Sequence, residues 1–209
     1  MVTYRYITID LPEAELLADL EGIRQDLMGA IENCDLIIKN MKTGSSDFKF
    51  LEAVSSSAVV RYARSFNTGV RATIPKYLLD DMSDEQRRDH SYFINLRDKH
   101  IAHSVNVYEE NEVVAYLTPE ERGQRGVQSI SVQHKRVLSI GDGSAMCLKA
   151  LCSYLLQRIE NLIITEKEKL MAVLNAIPVD ELYAMKARSP RPSSEQDVSR
   201  PRRKVQRNK

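Results

Sequence analysis

Tryptophan is absent from this 209-residue chain, and aromatic residues make up only 6% of it. Large rings therefore cannot carry the core. The 43% apolar fraction has to be buried mainly as Leu, Ile, Val and Ala, which suits helices packed on helices. No apolar run approaches the roughly 18 residues of a membrane span, and the opening MVTYRYITID lacks the basic start and apolar core of a secretion signal. A soluble, cytoplasmic protein with no membrane partner is expected. Cysteine is also scarce: Cys34, Cys147 and Cys152 are an odd number, lie in apolar helical surroundings and form no Cys-x-x-Cys pair. Buried free thiols are the expected state. No Gly-x-Ser-x-Gly elbow is present for a Ser-His-Asp hydrolase, and no His-Glu-x-x-His or cysteine pair completes a metal set. Neither a metal nor a cofactor is expected.

The net charge of +1 hides an asymmetry. Residues 186–209 hold nine Lys or Arg against Glu195 and Asp197, whereas residues 1–185 hold 21 bases against 27 acids. A basic tail thus follows an acidic body. The body, residues 1–185, reads as one helical domain, and the tail, with almost nothing to bury, is expected to be disordered. Its bases would attract phosphates without sequence choice, although it lacks the interleaved aromatics that stack on bases.

Hydrophobic periodicity divides the body. Leu16, Leu17, Leu20, Ile23, Leu27, Ile31, Cys34, Ile37 and Ile38 recur at three- and four-residue steps and predict a helix over about 11–41. Asp10 with Glu13 reads as its capping pair, and Pro12 falls in the first turn. KTGSSD breaks the pattern, and Asp47 caps a second helix to about Gly69 with Phe50, Leu51, Val54, Ala58, Tyr62 and Phe66 on one side. The stretch 70–82, with Pro75, receives no assignment. Ser83 and Gln86 form a second capping box, so a third helix should run through FINLRDKHIAH. Period two then takes over: VNVYEENEVVAYL reads as a hairpin around EEN, and VQSISVQHKRVLSI, after ERGQRG, as one more strand. This β insertion spans about 105–140. GDGS caps a last long helix over about 144–176 with Leu148, Leu151, Leu155, Ile159, Leu162 and Ile163 as its rail. Pro178 closes it, and PVDELYAM adds a helical turn.

The third helix carries the chemistry. Its stretch LRDKHIAHS holds an arginine, an aspartate, a lysine and two of the four histidines. At α-helical spacing, Phe93, Ile94 and Ile101 lie within about 60° of Arg97, so Arg97 projects from the apolar side, while His100 and His103 fan toward one flank at about −60° and −120°. A desolvated guanidinium needs an anion. Glu52, Glu160 or Asp98 could answer it from within, leaving the histidines as helix-end caps favoured by the dipole. His100 and His103 could share an ion, but Lys99 places a positive charge alongside.

Arg97, the polar Asp98 directly after it, and His103 after five intervening positions resemble the Arg, four to six residues, His motif of HEPN domains. VVRYARSFNTGVR (59–71) ahead of FINLRDKHIAHSVN (93–106) resembles the HEPN branch associated with bacterial abortive-infection proteins. The likeness covers about residues 10–175, with its specific residues confined to these two blocks. It implies a mainly α, HEPN-like antiparallel helical bundle with the small β insertion before the last long helix. It further implies a metal-independent endoribonuclease, a toxin or phage-defence effector that acts on RNA as a homodimer and is silenced by an antitoxin protein. On that likeness His103 is the acid or base, Arg97 the phosphate clamp and Asp98 the group orienting one of them. His100 is a further catalytic candidate, and Arg61, Arg64 and Lys99 are candidate RNA phosphate contacts. Two alternatives stay open: a HEPN-like bundle that binds RNA or protein without cutting, and an unrelated helical scaffold in which Arg97 answers an internal carboxylate.

Overall fold

The computed structural model describes residues 6–44, 47–67, 71–103, 107–123, 125–137, 139–185 and 194–199. The expected stop at Gly69 and most of the tail lie outside these residues. Within 194–199 the tail forms a short 3-10 turn, Glu195–Asp197, capped by Ser194.

The first helix, α1, spans Pro12–Lys42. The predicted Asp10–Glu13 capping pair does not form. Proline requires an extended residue before it, so Leu11, at φ −118° and ψ 148°, becomes the N-cap and Asp10 is left outside the helix. The predicted stripe does form the core face: Leu20, Ile23, Leu27, Cys34 and Ile37 are fully buried. They pack on the last long helix, α4 (Asp142–Asn175), whose Leu148, Leu151, Leu155 and Ile159 are equally buried. Each such side chain contributes about 1.5–3 kcal/mol through removal from water. The backbone of Gly141 caps α4 with no side-chain bond, so GDGS starts the helix two residues earlier than expected. Pro178 then serves as N-cap of a short α5, Val179–Ala184.

Helix α2 (Phe48–Arg64) starts as read, with the Asp47 carboxylate accepting from the Phe50 amide at 3.0 Å. It stops five residues short of Gly69. The carbonyl of buried Ser65 accepts from Ile74 at 2.8 Å, which commits the helix end to the returning chain. A 3-10 turn at Lys76–Leu79 leads to α3, Asp84–Leu96, which opens with both bonds of the Ser83–Gln86 capping box.

The β insertion is one antiparallel ribbon of β1 (Glu109–Leu117) and β2 (Val127–Arg136). The predicted turn at EEN is corrected. Glu109, Glu110 and Asn111 stand in the ladder opposite Arg136, Lys135 and His134, where opposite charges face each other across strands. The reversal lies instead beyond Leu117, with a 3-10 turn at Glu120–Arg122 and Gly123 at φ 72°, a left-handed conformation that suits glycine. The chain is therefore mainly helical, with a small two-stranded sheet before its last long helix. Among the described residues no helix is long and apolar enough to cross a membrane.

Candidate functional site

Buried Phe93 and Leu96 anchor the C-terminal half of α3 against α2. The helix then widens. Residues Arg97–Ile101 form a π-turn, closed by the Ala102 amide bonding the Arg97 carbonyl at 2.9 Å. Such turns are rare and frequently occupy functional sites. A five-residue step advances less per residue than an α-helix, so the flank that α geometry assigns jointly to His100 and His103 is split. His100 turns into the body, and His103 stands exposed just past the turn.

The Arg97 Nη1 atom donates to Asp98 Oδ1 at 2.7 Å. The guanidinium is 31% exposed and the carboxylate 47%. Arg97 is thus less desolvated than α-helical spacing predicts, and its anion is its neighbour. Glu52 pairs instead with Arg136 at 3.1 Å and Glu160 with Arg24 at 3.3 Å. An open pair of this kind adds little to stability, and among the described residues no second carboxylate engages Arg97. Lys99 and His103 are exposed, with no partner among the described residues.

His100 is held differently. Its Nε2 lies 2.9 Å from the Val137 carbonyl, and its ring meets Tyr108 edge to face with centroids 5.7 Å apart. A carbonyl only accepts, so Nε2 is the donor in this bond, and the other ring nitrogen is Nδ1. That atom is buried and unpartnered among the described residues. The adjoining cavity, lined by Ser55, Val59, Tyr92, His100, Val137 and Ile140 among others, has a volume of about 40 Å³. This is room for water, well below the roughly 300 Å³ of a ligand site. His100 therefore ties the π-turn to the base of the ribbon. Burial raises the Tyr92 phenol, reinforced by Tyr108, while a bond to Ser144 opposes the shift.

Arg61 and Arg64 are not brought to this place. Tyr62 packs on Phe93 and His90, whereas Ser55 and Val59 approach His100, so α2 and α3 run antiparallel. Ser55 to Arg64 is then about 13 Å of helix at 1.5 Å per residue. Both arginines turn toward α1. Arg64 Nη1 lies 3.6 Å from Asp26. Arg61 lies over Gly29, where a Cβ would fall 2.9 Å from its guanidinium carbon. Sequence reasoning missed Arg71, which holds Asp26 at 2.8 Å, and Tyr108, which supports His100.

No family model, curated protein or solved structure matches this chain. What the site can do follows from its own chemistry: a guanidinium for an anion's oxygens, a carboxylate to orient it, and an accessible imidazole that can give or take a proton.

Proposed function

We propose that the chain is a metal-independent endoribonuclease of HEPN type. The observation that supports this most is the surface Arg97–Asp98 pair, carried on a π-turn with exposed His103 just beyond it. The resemblance of these residues to the HEPN motif supplies the reaction. The ribose 2'-oxygen attacks the adjacent phosphorus, a base takes its proton, and the departing 5'-oxygen receives one, leaving 2',3'-cyclic phosphate and 5'-hydroxyl ends. Arg97 clamps the phosphate and the charge developing on it, Asp98 orients Arg97, and His103 transfers the proton. One imidazole cannot be acid and base in the same step, so two copies in a two-fold homodimer supply both. Lys99, exposed on the same turn, adds a phosphate contact. A toxin or phage-defence effector neutralised by an antitoxin is the setting the resemblance implies.

Asp98 already occupies one arm of Arg97, which favours a second reading: a bundle that contacts RNA through this turn without cutting it. Incubation of the purified protein with total RNA in EDTA separates the two. The nuclease reading expects fragments with 2',3'-cyclic phosphate ends, and His103→Ala should slow their appearance by about 10²- to 10⁴-fold, the usual share of acid-base catalysis. Binding without fragments selects the second reading. Equal cutting by the variant assigns the activity to another protein.

A further inference from the structure

The β1–β2 ribbon has two unlike faces. On one, Glu112 pairs with Lys135 at 3.1 Å, and Val114 and Tyr116 stand opposite Ser131 and Ser129. On the other, three cross-strand pairs follow one another: Val113 with Val132, Ala115 with Ile130, and Leu117 with Val127. All six are exposed, Val113 and Ile130 at 71%. Nearer the body this face continues through Asn111 with His134 and Glu109 with Arg136. An isolated two-stranded ribbon is marginal in water, and a contiguous apolar patch on it marks a docking surface.

We infer that this face packs against the same face of a second copy of the chain. The order of residues along the ribbon selects that occupant and its orientation. A two-fold axis parallel to the strands lays β1 of one copy over β2 of the other, tips together, with the sheets about 10 Å apart. Each pair then meets its own reverse: Val113 over Val132, small Ala115 over Ile130, Leu117 over Val127, and Glu109 over Arg136 twice, side by side at the body end of the contact. The two-fold axis across the strands would instead set Glu109 on Leu117, a charge on apolar surface. The favoured arrangement places both helical bodies at one end of the joined ribbons. To that end His100 ties the π-turn, through the Val137 carbonyl. The pairing thus names the surface that would unite the two sites required by the proposed nuclease, and rests on that reading only for this purpose.

Sedimentation or light scattering of the full chain tests it by mass, independently of any RNA cleavage. At about 50 μM, above the micromolar range in which weak interfaces of this class associate, the protein should be dimeric. Ile130→Glu should raise the dimer dissociation constant by about 100-fold or more, because it buries an unpaired charge, and leave the helical circular dichroism unchanged. Glu109→Arg and Arg136→Glu should each weaken self-association, yet mixing the two variants should restore a heterodimer, since both crossed contacts become attractive again. A monomeric wild type, an Ile130→Glu variant that dimerises as well as wild type, or a mixture that stays monomeric overturns the inference.

Discussion

At the scale of single residues, the two histidines of the motif stretch have separate work. His103 is open to solvent, whereas His100 spends its Nε2 proton on the Val137 carbonyl and its ring on Tyr108. Replacing His100 by Ala should therefore loosen the ribbon before it affects the helices. Amide exchange across 108–117 and 127–137 should accelerate while α1 and α4 stay protected. His100→Gln, which keeps a donor on a side chain of similar reach, should recover part of the protection, and indistinguishable exchange in wild type and His100→Ala would refute the tether. Cys34 and Cys152 are the buried free thiols expected, whereas Cys147 is free but only half-buried. Burial pushes the Cys34 thiol up to about 12 and Cys152 well above its ordinary value, so neither is nucleophilic at neutral pH.

Secondary-structure elements show where local chemistry decides and where it does not. The Ser83–Gln86 box satisfies the first amides of α3, with Gln86 N to Ser83 Oγ at 3.2 Å and Ser83 N to Gln86 Oε1 at 2.9 Å. Ser83→Ala should cost about 1 kcal/mol, read as a lowered denaturation midpoint with an unchanged slope. That box, the Asp47 cap and the stripes of α1 and α4 were legible because each depends on residues a few positions apart. The misreadings share the opposite cause. EEN looks like a turn until Arg136 and Lys135, 27 and 25 positions from Glu109 and Glu110, stand across from it. The end of α2 depends on Ile74 bonding Ser65, and the split between His100 and His103 depends on one widened turn that no periodicity announces. The candidate site was legible as Arg97 beside Asp98. Its openness and the His100 tether were not, because both depend on the ribbon folding back.

For the molecule as a whole, one half-buried contact between α2 and α3 makes stability sensitive to acid. The Tyr62 hydroxyl lies 2.8 Å from His90 Nδ1 beneath Phe66, and burial lowers the His90 pKa below its ordinary 6.5. The unfolded chain then binds the proton more readily than the folded one. Stability from this source is complete above about pH 6.5 and declines as pH falls through the lowered folded value. Urea melts at pH 5.5 and 7.5 should show the loss, and His90→Gln should flatten it; an unaltered difference would assign the effect to other groups. The most extensive interface in the molecule, α1 against α4, joins segments separated by about 100 residues of sequence. At a synthesis rate of about 5–20 residues per second, the greasy side of α1 leaves the ribosome some 5–20 s before its cover exists. Until then, among the described elements, only α2 packs on α1, so the yield in a cell should depend on holding chaperones more than the final stability suggests.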